Sequence, residues 1–130
     1  MAKILLIEPD RILAHTYFEA LTHAGHAVQI CATAQGAIFC ADDICPDVVI
    51  LELQLVGHSG IEFLYEFRSY PDWQNVPVIV ATNVPAGEFS GSWKLLRNQL
   101  GVSQYLYKPL TNLKKLLSTV QDFVPSTLNQ

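Results

Sequence analysis

Val48-Val49-Ile50-Leu51 is an apolar run without a polar break, entered through Pro46-Asp47 and ended by Glu52. A half-exposed strand alternates apolar and polar side chains. A run that is apolar at every position needs cover on both faces, as a central strand of a parallel sheet has. Glu52 then stands at the carboxyl end of a buried strand. The loop that follows carries Gly57 and Gly60, in the place where open α/β sheets build their sites. Taken alone, an acid there reads equally well as the first solvated residue past a strand, so the other strand ends have to decide.

Residues 3–8 form a shorter apolar run that ends in Glu8, and Pro9-Asp10 suits a helix start, with an acid near the positive end of the dipole. Leu13, Ala14, Tyr17, Phe18 and Leu21 then recur at three- and four-residue steps up to Gly25, which predicts a first helix over 11–24. A second strand is expected over 26–31. Thr33 can cap a second helix through Ala37, Ile38 and Ala41 that ends near Asp43 and Pro46. Past Gly60, Ile61, Phe63, Leu64 and Phe67 make a third helical face, stopped by Tyr70-Pro71-Asp72, and their aromatics read as core. Residues 76–82 are a fourth buried run, with Pro77 at its start and Thr82 at its end. A loop over 84–91 leads to Ser92, which can cap a fourth helix through Trp93, Leu95, Leu96 and Leu100, closed by Gly101. Residues 102–107 are the fifth strand. Lys108-Pro109 and a last helix through Leu110, Leu113, Leu116, Leu117 and Val120 follow, then a polar tail over 125–130.

Five strands alternating with five helices require right-handed crossovers and therefore a doubly wound parallel sheet. In the flavodoxin-like order 2-1-3-4-5, strands one and three adjoin at the switch point. Glu8, Glu52, Thr82 and Lys108, at the ends of strands one, three, four and five, then converge on one crevice.

The length of 130 residues suits one domain, expected over 1–124, and 50% hydrophobic residues can fill its core. A net charge of −4 argues against a broad phosphate-binding surface, so no direct nucleic-acid contact is expected. The apolar start, about four residues before Glu8, is too short for a signal or membrane segment, and a cytoplasmic location is expected. Cys31, Cys40 and Cys45 lack the paired spacings of zinc sites, and they read as small buried side chains in a reducing compartment. His15, His23, His26 and His58 are too scattered for a metal site.

With these residues in place, the chain resembles the receiver domain of two-component response regulators. The resemblance rests on residues 4–8 at strand one, 46–52 with Gly57 and Gly60 at strand three, 77–82 at strand four, and Gly101 with Tyr105-Leu106-Tyr107-Lys108-Pro109 at strand five. It implies a phosphorylation switch. An aspartate ending strand three takes a phosphoryl group from a histidine kinase, beside magnesium held by that aspartate and an acidic pair after strand one. By the same resemblance, Lys108 is the phosphate-pairing lysine, Thr82 the switch hydroxyl and Tyr105 the switch aromatic.

The acids depart from that pattern. Glu52 occupies the phosphoacceptor position, and the acidic pair is replaced by Glu8-Pro9, with Asp10 following; Glu8 and Asp10 remain as the acidic pocket. Magnesium is held through one or two carboxylates plus water, so Pro9 removes a ligand and metal binding is expected to be weak or lost, leaving no cofactor. The extra methylene of Glu52 advances its carboxylate by roughly 1.3 Å, and a misplacement of about that size can slow a positioned reaction on the order of a hundredfold. The displaced carboxylate is expected to pair directly with Lys108, giving a phosphorylation-independent receiver-like module that is not an enzyme and acts through protein contacts.

The partners implied are a histidine kinase or an effector, and a homodimer through the face of helix four, strand five and helix five. On that face Lys94, Arg97, Lys114 and Lys115 supply positive charge, while Ser103-Gln104 replaces an acidic pair. Phe89 and Trp93 are either core or a partner-binding patch. Two alternatives stand beside this reading: a conventional receiver still phosphorylated by a kinase, and a small flavodoxin-like enzyme or flavin carrier. Against the last, Glu8-Pro9-Asp10-Arg11 has no glycine-rich phosphate cradle.

Overall fold

The computed structural model describes residues 2–85 and 94–125. β1 (Lys3–Ile7), β2 (Ala27–Cys31), β3 (Val48–Leu51), β4 (Val78–Thr82) and β5 (Val102–Tyr107) form one sheet in the order β2-β1-β3-β4-β5. Every neighbouring pair is parallel. The helices are α1 (Arg11–His23), α2 (Ala34–Ile44), α3 (Gly60–Ser69) and α4 (Leu113–Phe123). This is the flavodoxin-like arrangement that the alternation of runs predicts.

Strand alternation explains why the central runs have no polar break. From β1, Leu5 and Ile7 enter one core layer with Val49, Leu51, Val78 and Val80, where they meet Ala37 and Ala41 of α2 and Phe63, Leu64 and Phe67 of α3. Ile4 and Leu6 enter the other with Val48, Ile50, Ile79 and Ala81, covered by Tyr17 and Leu21 of α1 and Leu116 and Val120 of α4. Every residue of β3 and β4 is buried, whereas the edge strand β2 shows alternating exposure.

The helix starts follow their capping side chains. Asp10 accepts from the Ile12 and Leu13 amides, Thr33 from Gly36, Ser59 from Glu62 and Asn112 from Lys115. Asn112 explains why the last helix starts later than expected. Lys108–Leu110 is a 3-10 turn containing Pro109, and Leu110, expected on the helix's buried face, is 84% exposed. Cys45 also departs from expectation: it takes a left-handed conformation (φ 51°) after α2 and is exposed rather than buried, while Cys31 is buried and Cys40 partly so.

The fourth expected helix is represented among the described residues by a π-helical turn, Leu95–Gln99. The proposed Ser92 cap, Phe89, Trp93, all but the first two residues of the 84–91 loop and the tail past Pro125 lie outside the described residues. Among the described residues no helix is long and apolar enough to cross a membrane.

His26 gives the fold a pH dependence. It is buried, and its Nδ1 accepts the Ala2 amide at 3.3 Å; burial depresses its pKa below the ordinary 6.5. The folded state therefore binds this proton less readily than the unfolded chain, so stability is expected to fall as pH drops through 6.5 toward the folded-state value. Urea midpoints of the wild type and His26→Gln measured across pH 7.5 to about 5 should converge toward the acid end, because only the wild type carries this penalty.

Candidate functional site

Glu8, Glu52 and Lys108 stand just past the carboxyl ends of β1, β3 and β5 and meet there, while Thr82 is the last residue of β4. Glu8 follows β1 and its amide donates to the Cys31 carbonyl at 3.0 Å; Glu52 follows β3 and its amide donates to the Ile7 carbonyl at 3.0 Å. These backbone bonds aim both carboxylates inward, beside Lys108 at the end of β5.

The Lys108 Nζ donates to Glu8 Oε1 at 2.5 Å and to Glu52 Oε1 at 2.6 Å. All three side chains are nearly closed to water, 8% exposed for Lys108, 3% for Glu8 and 4% for Glu52. Burial by itself would lower the Lys108 pKa. The hydrogen bonds and charges of Glu52 and Glu8 outweigh it and hold the ammonium above its ordinary 10.5. Each carboxylate's second oxygen is engaged too: Glu8 Oε2 accepts the Asp10 amide and Glu52 Oε2 the Gln54 amide, both at 3.1 Å.

The Tyr17 phenol lies within the field of this cluster. Burial raises its pKa; Lys108 pulls it down, and Glu8 and Glu52 push it up. Tyr17 reads from sequence only as a core aromatic, because its spacing within α1 says nothing of a charge cluster at the sheet's edge.

Thr82 and Tyr105 meet through Val84. The Val84 amide donates to Thr82 Oγ1 at 3.2 Å, and the Tyr105 hydroxyl donates to the Val84 carbonyl at 2.6 Å. The backbone of Val84, unremarkable in sequence, thus joins the hydroxyl at the end of β4 to the aromatic of β5. Asp10 stands beside Glu8, its amide donating to Glu8 Oε2, while its carboxylate serves as a helix cap. Its Oδ1 caps α1 at 3.0 Å from both the Ile12 and Leu13 amides, and the residue is exposed.

Gly60 fixes where Glu52 can sit. Its amide donates to the Leu53 carbonyl at 2.9 Å, and a Cβ placed on it would lie 2.7 Å from the Glu52 carbonyl oxygen and 2.8 Å from the Leu53 Cα. Backbone cannot yield as a flexible side chain can. Gly60→Ala is expected to cost about 1–3 kcal/mol in a urea titration and to shift the Glu52 amide resonance.

Magnesium fits this donor set poorly. The ion needs near-octahedral oxygen coordination at about 2.0–2.1 Å. Both carboxylates already have each oxygen engaged, an ammonium stands between them, Pro9 offers no side-chain ligand, and Asp10 Oδ1 is taken by the α1 cap. Among the described residues no group of three or more His, Cys, Asp or Glu side chains could hold a metal ion.

Comparison with known proteins agrees with this architecture. Residues 4–121 match the family described as the response regulator receiver domain. The chain is similar to the two-component response regulator PhoP of Pseudomonas aeruginosa, 27% identical over 134 residues that take in 97% of this chain and 56% of that protein. It is 32% identical over 109 residues to the transcriptional regulatory protein KdpE of Mycobacterium tuberculosis, covering 84% of this chain and 45% of that protein. The chain thus spans about half the length of these curated relatives. Among solved structures, the chemotaxis response regulator CheY4 of Vibrio cholerae matches with a TM-score of 0.84 and 25% identity, covering 95% of this chain and 99% of that one. The sheet order, the groups gathered at its carboxyl edge and the match over residues 4–121 place the chain in one family: it belongs to the response regulator receiver domains of two-component signalling.

Proposed function

We propose that this receiver domain works without phosphorylation, as a protein-interaction module whose site is closed by its own side chains. The observation that carries the reading is the Lys108 ammonium, held at 2.5 and 2.6 Å between Glu8 and Glu52. In the switch that the family resemblance implies, a lysine pairs with a phosphoryl group and magnesium neutralises the acids. Here the lysine pairs with both acids directly, and Glu52 Oε1 takes its hydrogen bond.

The fixed arrangement extends to the switch positions. Thr82 Oγ1 already accepts from Val84, and the Tyr105 hydroxyl already binds the same residue's carbonyl. Output then depends on contact with a partner, a histidine kinase or an effector, rather than on a change of chemical state. The curated relatives named as regulatory proteins are about twice as long as this chain, which is consistent with an effector supplied by another domain or another protein. The exposed Lys94 and Arg97, at the Leu95–Gln99 turn, and Lys114 and Lys115, on α4, supply positive charge suited to an acidic partner surface.

A titration of the isotopically labelled protein with beryllofluoride and millimolar magnesium tests the reading. The amides of Glu52, Thr82 and Lys108 are expected to stay in place. Saturable shifts at all three would overturn it.

A further inference from the structure

Two cysteines outside the crevice meet in the core layer under α2. Cys31 ends β2 and Cys40 lies on α2, and their sulfurs are 2.6 Å apart, well inside ordinary nonbonded sulfur separation. A disulfide needs about 2.05 Å, so closure asks for an approach of about half an ångström with both side chains already facing each other. Cys31 also supplies the carbonyl that accepts the Glu8 amide at 3.0 Å, so whatever fixes Cys31 acts on the backbone next to an acid of the crevice.

We propose that Cys31 and Cys40 are a peroxide-responsive dithiol whose oxidised form pins α2 to the end of β2 beside Glu8. Cys40, partly exposed, is the sulfur a small oxidant reaches first; Cys31 is buried. The Cys40 thiol gives up its proton and the thiolate attacks one oxygen of hydrogen peroxide; the O–O bond breaks to give Cys40 sulfenic acid and hydroxide, which takes the released proton as water. The Cys31 sulfur then attacks the sulfenic sulfur, the S–O bond breaks, and the departing hydroxide takes the Cys31 proton as water. In total, two thiols and one peroxide give one disulfide and two waters. Burial and the neighbouring Cys40 push the Cys31 thiol up to about 12, which keeps it protonated and leaves the first step to Cys40; the resolving step rests on the contact between the two sulfurs. Such transient bonds are the kind that form in reducing compartments. Cys45, exposed at the end of α2, is the internal control.

The test is a hydrogen peroxide titration of the reduced full chain. The expected result is a loss of about 2 Da by intact mass, two thiols protected from alkylation, a Cys31–Cys40 peptide in a non-reducing digest, and full reversal by dithiothreitol. Cys45→Ser should keep all of these; Cys40→Ser and Cys31→Ala should each lose the mass change. The Glu8 amide resonance should shift on oxidation in the wild type and in Cys45→Ser. Gain of oxygen without loss of two hydrogens, a bridge that includes Cys45, or an unmoved Glu8 amide in the oxidised protein would overturn the proposal.

Discussion

Replacing Lys108 by alanine is expected to remove about 3–5 kcal/mol of folding stability at neutral pH, the range seen when one partner of a buried ion pair is deleted. The reason is what remains. Glu8 and Glu52 are 3% and 4% exposed, and without the ammonium two carboxylates face each other away from water. The loss should shrink when Glu8→Gln and Glu52→Gln are combined with Lys108→Met, since a neutral cluster has no charge left uncompensated. Because the carboxylates raise the Lys108 pKa, their stabilisation is fully present below the ordinary 10.5 and is lost as pH rises through the folded-state value. Urea titrations of the variants between neutral and alkaline pH check both parts. A Lys108→Ala variant as stable as wild type would mean that the buried cluster does not hold the crevice together.

The second large effect is a gain. In a chain carrying both Pro9→Asp and Glu52→Asp, magnesium-dependent modification by acetyl phosphate is expected to rise on the order of a hundredfold or more over wild type. Each change addresses a different defect. Glu52→Asp withdraws the carboxylate by roughly 1.3 Å, which breaks its 2.6 Å contact with Lys108 and frees that lysine for a phosphoryl oxygen. Pro9→Asp returns a carboxylate beside Glu8, so the ion is held by more than one acid. The single variants should gain much less, because metal and acceptor act in one transition state. The family resemblance gives the remaining roles to Thr82, Tyr105 and Lys108, so the two changes address only the departures from that pattern.

Much of this was legible in sequence because the signals are one-dimensional. An unbroken run such as Val48–Leu51, bounded by Pro46 and the Gly57–Gly60 loop, reads as a strand covered on both faces, and Asp10 and Thr33 mark helix starts through bonds to amides two or three residues on. The polar residues after strands one, three and five pointed to the cluster, and the extra methylene of Glu52 pointed to its contact with Lys108. What escaped depends on three dimensions. The bond from Lys108 to Glu8 spans 100 residues, and Val84 matters through its backbone alone. The use of the Asp10 carboxylate as a cap was legible too, since an acid after Pro9 suits a helix start. Leu110 fits a helical period but precedes the Asn112 cap, and Cys45 fits a buried type but follows the last turn of α2.

The most direct measurement is the intact mass of the wild-type chain after incubation with acetyl phosphate and magnesium. The closed Glu8–Lys108–Glu52 cluster predicts an unchanged mass, under conditions where the chain carrying Pro9→Asp and Glu52→Asp gains about 80 Da. An equal gain by the wild type, mapped to Glu52, would contradict the account.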